Sequence, residues 1–109
     1  MYYNRGDVYW VLFPFEEQDD EKLRPGIVMD VSPDEVEILC MKVTTNGKEK
    51  FETIVEIVEY LKAGLAKPSY AVISKIRVLK KERFGQYIGR IQDEDMLNIM
   101  EATYKNEYL

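Results

Sequence analysis

In the stretch EKLRPGIVMDV an arginine stands directly before a proline, where a run of β-branched and apolar residues begins. Pro25 fixes its own φ, and its ring pushes the preceding residue toward extended backbone. Arg24 is therefore expected on stiff main chain at the mouth of a strand. Two readings are open: a charge that marks strand entry, or a guanidinium held ready for an anionic ligand. A guanidinium is a planar fork of donors that stays charged at any physiological pH, a shape that fits phosphate or carboxylate oxygens. A second polar stretch, TTNGKEKF, begins with Thr44 and Thr45 and contains the turn signal Asn46-Gly47 with two lysines, Lys48 and Lys50.

The absences narrow the chemistry. The 109 residues include no histidine, so serine–histidine and cysteine–histidine nucleophile schemes are excluded. A single cysteine, Cys40, excludes an internal disulfide and argues against a structural zinc site. Its plain reading is a buried thiol in a strand. The acidic run at 16–21, within EEQDDEK, lacks the ligand spacing of a calcium-binding EF-hand and reads as a solvated hairpin loop. Neither a metal nor an organic cofactor is expected.

The formal net charge is −5, but it is unevenly spread. Residues 1–41 hold three basic residues against ten acids, residues 42–90 eleven against five, and residues 91–109 one against five. A basic middle segment thus lies inside an acidic protein. Local field, rather than net charge, decides where an anion binds.

The elements that must position these groups can be read from periodicity. DVYWVLF (Asp7–Phe13) is a continuous apolar run that suggests a buried strand, and GIVMDV (Gly26–Val31) a second. VEILCMKV (Val36–Val43) makes a third, with Val36, Ile38 and Cys40 on one face and Leu39 and Met41 on the other. The β-branched density at residues 53–58 favours a strand, followed by a helical turn ending near Gly64. SYAVISKIRVLKK reads as a strand pair or one kinked strand, and QYIGRI as the last strand. QDEDMLNIMEATYKNEYL is the clear helix. Met96, Met100 and Tyr104 are expected to line its core stripe, with Leu97 and Ile99 widening it. Asp93, Glu94 and Asp95 crowd its first turn, where the helix dipole favours them. The expected class is mainly β (α+β): a small, strongly bent antiparallel sheet or partial barrel with a packed helix, in one domain spanning residues 1–109. No apolar run is long enough to span a bilayer, and the N-terminus lacks a basic region followed by an apolar one, so a cytoplasmic protein with no membrane partner is expected.

In order along the chain, RGDVYWVLFPF, LRPGIVMDV, VTTNGK, SYAVISKIRVLKK and YIGRIQDEDMLNIM resemble the MazF/PemK toxins of type II toxin–antitoxin systems. The resemblance covers most of residues 5–104. It implies an SH3-like partial barrel with a C-terminal helix and a homodimer. It also implies metal-independent, sequence-specific cleavage of single-stranded RNA, neutralised by a cognate antitoxin protein. The family's catalytic arginine of an RP element maps to Arg24, and its threonine or serine after the third strand to Thr44, with Thr45 beside it. Lys48 and Lys50 would contact RNA phosphates. Arg77 matches the family's arginine in its strand, with an RNA contact and a structural or dimer-contact role both open. There are departures: where some relatives carry an acid before that strand's arginine this chain has Ser74 and Lys75, and it has no histidine in the first loop. A different class remains open as well, a non-catalytic binding module of the same fold: a CcdB-like gyrase poison, or a degenerate toxin relative.

Overall fold

The computed structural model describes residues 2–14, 22–48 and 53–108. Its order is β1 (Asp7–Leu12), β2 (Leu23–Val31), β3 (Glu37–Thr44), β4 (Ile54–Ile57), β5 (Ser69–Lys80), a short 3-10 turn at Lys81–Arg83, β6 (Phe84–Arg90) and α1 (Asp93–Tyr108). The strands form one six-stranded antiparallel sheet in the order β4-β5-β3-β2-β1-β6. The mainly β class with a C-terminal helix is as expected. The sheet is open, because β4 and β6 are its two edges.

Alternation along the strands feeds a core on each face. Met41 and Val43 of β3 join Val8, Ile27, Ile57, Ile73 and Ile99 in the larger cluster. Ile38 and Cys40 join Val11, Phe13, Val28 and Leu79 in the smaller one. The expected division of β3 between two faces is therefore present, except that Val36 lies outside the strand and is exposed. In β1 the apolar run is not uniformly buried: Val8 and Val11 are fully buried, whereas Trp10 is 39% exposed.

Two backbone features shape the sheet. The first is the RPG sequence. Pro25 lacks an N–H, and the β2–β3 ladder starts only at the next residue, with Gly26 opposite Lys42. A Cβ on Gly26 would meet Cys40 Sγ at 2.6 Å and the Phe13 ring at 2.9 Å, so glycine is needed for the smaller core to close over the strand. The second is a bulge in β5. Met41 faces Ile76 but Val43 faces Ala71, so Lys42 alone spans the residues 72–75. SYAVISKIRVLKK is thus one kinked strand. Its first half pairs with β4 and the end of β3, and its second half runs along the rest of β3.

After β4 the chain makes a helical turn, with Ala63 N–H donating to Glu59 O and Leu65 N–H to Tyr60 O. Gly64, at φ +87°, ends it, and a Cβ there would run into the Ile88 carbonyl of β6. The turn therefore packs on the far edge strand and bends the sheet without a β4–β6 ladder.

The helix meets expectation at Met96, which packs against the larger core, but differs over the rest of the expected stripe. Ile99 is fully buried and Asp95 is 2% exposed, whereas Leu97, Met100 and Tyr104 are exposed. The reason is a tertiary hydrogen-bond pair. The Asp95 carboxylate accepts the Val58 N–H at 3.0 Å and the Glu59 N–H at 2.8 Å. Asp95 therefore clamps the helix to the turn after β4, and only Asp93 and Glu94 remain exposed at the helix start.

Candidate active site

The β1–β2 register sets Val11 opposite Arg24 and Trp10 opposite Pro25, and the β2–β3 register sets Gly26 opposite Lys42. Two residues back along β2 is Arg24, and two residues on along β3 is Thr44. Alternation therefore gives Arg24, Lys42 and Thr44 a common face at the end of the sheet. They line one cleft of about 610 Å³ with Trp10, Leu23, Pro25, Val43 and Thr45. Residues twenty positions apart in the chain are brought together by strand register.

Arg24 is half-buried, and its Nη1 donates to the Leu23 carbonyl at 3.2 Å. That bond uses one of five guanidinium donors and steadies the group at the cleft wall. Thr44 Oγ1 accepts the Asn46 N–H at 3.1 Å, so its own proton can be donated outward. Asn46 Oδ1 in turn accepts the Lys48 N–H at 3.0 Å. Gly47 sits against the Tyr70 ring, where an added Cβ would come within 2.7 Å of it. The loop is thus pinned by two local side-chain-to-backbone bonds and one ring contact. Two cations, Arg24 and Lys42, line the cleft, and no carboxylate joins them among the described residues. An anion with several oxygens is the ligand such a site favours.

The expected residues divide as follows. Arg24, Thr44 and Thr45 share the cleft. Lys48 is exposed on the adjoining loop and does not line it. Arg77 is exposed on β5 opposite Cys40, donates to the Ile76 carbonyl at 2.8 Å, and lies away from the cleft lining. Lys50 and the acidic loop at 16–21 lie outside the described residues. Lys42 and Trp10 were not anticipated. The signal for Lys42 was a lone lysine near the end of an apolar strand, two positions before Thr44 on the same face. For Trp10 it was a large aromatic whose side chain alternates with those of Tyr9 and Val11 along β1. Cys40 takes no part: it is fully buried, and burial pushes its thiol well above the ordinary range. No group of three or more histidine, cysteine, aspartate or glutamate side chains that could hold an ion occurs among the described residues.

A family model described as "PemK-like, MazF-like toxin of type II toxin-antitoxin system" matches residues 4–105. No curated protein sequence matches the chain. Among solved structures, the fold is similar to an endoribonuclease from Mycobacterial species, with TM-score 0.72, 20% identity, and coverage of 96% of this chain and 90% of that one. A second is an endoribonuclease in complex with its cognate antitoxin, also from Mycobacterial species, with TM-score 0.70, 19% identity, and coverage of 96% and 94%. A third is the Mycobacterium tuberculosis toxin MazF-mt6, with TM-score 0.73, 17% identity, and coverage of 94% and 97%.

Proposed function

The chain belongs to the PemK-like, MazF-like toxin family of type II toxin–antitoxin systems, and from that premise we propose that it is a metal-independent, sequence-specific endoribonuclease acting on single-stranded RNA. The observation that carries this reading is the shared cleft of Arg24, Thr44 and Lys42. Similarity in fold to endoribonucleases supports it.

In this mechanism the RNA phosphate sits against Arg24 and Lys42. The 2′-hydroxyl attacks phosphorus in line, its proton passes to water, and the P–O5′ bond breaks as the leaving oxygen takes a proton from water. The products are a 2′,3′-cyclic phosphate and a 5′-hydroxyl. Negative charge builds on the phosphate oxygens as the fifth bond forms. Arg24 stabilises that charge through its donor fork, a role for which a fixed donor contributes about 3–4 kcal/mol. A guanidinium pKa above about 12 makes Arg24 a poor base near neutrality, which is why the proton goes to water. Thr44 donates its hydroxyl to the same phosphate or orients the nucleophile. Thr45 and Lys48, with Lys50, guide the flanking strand. Arg77, away from the cleft, serves β5 or a subunit contact.

The chain works in the cytoplasm as a homodimer, and a cognate antitoxin blocks the cleft. A relative of similar fold solved with its antitoxin supports that partner. The testing experiment is incubation of purified protein with a long unstructured RNA, followed by end-group analysis. Fragments ending in 2′,3′-cyclic phosphate are expected. Intact RNA at high enzyme excess would favour the non-catalytic binding module instead.

A further inference from the structure

A second concavity, of about 450 Å³, adjoins the first and shares Trp10, Pro25 and Thr45 with it. Its remaining wall comes from the turn after β4 and from β6, including Leu65, Lys67, Gln86 and Ile88. Three observations point to what it holds. Trp10 is a large aromatic left 39% exposed, although its two strand neighbours, Tyr9 and Val11, are buried in the smaller core on the opposite face. The wall facing it is backbone packed on backbone: a Cβ on Gly64 would strike the Ile88 carbonyl, and one on Gly89 would strike the Ala63 carbonyl. The pocket is therefore preformed. Finally, its rim carries an amide, Gln86, and a cation, Lys67, both exposed. A flat apolar face, a hydrogen-bonding amide and an outer positive charge are the three groups that recognise an unpaired nucleobase and its phosphate.

We propose that this second cleft is a nucleobase subsite: the base next to the phosphate at Arg24 stacks on Trp10, pairs its edge with Gln86, and sends its far phosphate past Lys67. The subsite rests on the ribonuclease reading for its ligand, and it sets part of the sequence preference. Continuity carries the placement. A strand that leaves the phosphate cleft toward β6 passes Trp10, Pro25 and Thr45, and all three line both spaces. Stacking on a protein aromatic is tolerant of base identity, so the discrimination falls to the Gln86 amide, which both donates and accepts.

The test uses the fact that Trp10 is the sole tryptophan. Fluorescence of the full chain is titrated with hexamers of 2′-O-methyl adenosine, cytidine or uridine, which lack the attacking hydroxyl, and with an abasic hexamer of the same charge. At least one base-bearing hexamer should quench the fluorescence saturably, and the abasic one should not. Trp10→Leu should weaken that hexamer about tenfold by anisotropy while leaving abasic binding unchanged. Gln86→Ala, at an exposed position that does not endanger folding, should redistribute the cleavage sites on a long RNA without lowering total cleavage tenfold. Equal quenching by the abasic hexamer overturns the proposal, as does a cleavage pattern unaltered by Gln86→Ala. The two readings fail separately. RNA left uncleaved while a base-bearing hexamer quenches removes the ribonuclease and keeps the subsite; cleavage with an unmoved pattern removes the subsite alone.

Discussion

Arg24 and Thr44 are ordinary residues made unusual by their neighbours: a proline that stiffens one, and an Asn46 N–H that orients the other. Removing either side chain takes away one fixed donor to the transition state. Arg24→Ala and Thr44→Ala should each lower the cleavage rate at least tenfold, and a loss of about 3 kcal/mol for Arg24 would be roughly a hundredfold. Both variants should keep the wild-type circular dichroism and melting curve, since neither residue belongs to the buried core. Wild-type cleavage by Arg24→Ala would move the active site elsewhere. Cys40 offers a contrasting prediction. Burial raises its pKa, so the reactive thiolate is suppressed at neutral pH. An aromatic disulfide reagent should leave the native chain unmodified and titrate one thiol only in denaturant; rapid labelling of native protein would contradict the packing around Gly26.

Between elements, the single most consequential bond pair joins Asp95 to the turn after β4. That carboxylate is buried and accepts from two backbone donors of the turn in partly buried hydrogen bonds. Asp95→Ala leaves both without an acceptor, and each such loss costs about 1–3 kcal/mol. The melting temperature should fall by roughly 4–8 °C for each kcal/mol lost, whereas Glu94→Ala on the exposed side should change little. Equal melting of the two variants would show that the clamp does not hold the helix. The turn it secures also forms the wall of the second cleft, so Asp95→Ala should loosen hexamer binding as well as lower stability. The β5 bulge acts at the same scale. By letting Lys42 span four residues of the partner strand, it allows the end of β3 to pair again, with Thr44 opposite Tyr70 at the cleft rim.

Taken as one body, the protein is acidic yet concentrates cations around the cleft, with Arg24 and Lys42 inside it and Lys48 on the adjoining loop. RNA binding should therefore weaken steeply with salt despite the net charge of −5. Lys48→Glu combined with Lys50→Glu should lower the slope of log K against log salt by roughly two ions' worth, and an unchanged slope would take the RNA path off this loop. Cleavage should persist in excess EDTA, because the proposed charge stabilisation comes from Arg24 and Lys42; abolition by EDTA with rescue by magnesium would overturn that mechanism. Light scattering should give a dimer mass, and adding the cognate antitoxin should stop cleavage. A strictly monomeric protein would count against the homodimer.

Much was legible in one dimension. Alternation in β3 assigned Ile38 and Cys40 to one face and Leu39 and Met41 to the other, because side chains on a strand must alternate. Pro25 marked Arg24 as held, because a proline restricts its neighbour wherever it stands. Periodicity says which residues share a face, but not which face will be covered. In α1 the apolar residues are broad enough for several rotations about the axis, and the sequence favoured Met96, Met100 and Tyr104. The rotation was decided by Asp95 finding two N–H groups thirty-six and thirty-seven residues away, which turned Ile99 inward and left Met100 and Tyr104 outside. Likewise, nothing local to Arg24 or Thr44 says that they meet. Their encounter depends on the register of β2 against β3, and on the Gly26 contact that lets the smaller core close over it. Residue chemistry was written along the chain; its assembly into a cleft came from long-range pairing, which no window of sequence contains.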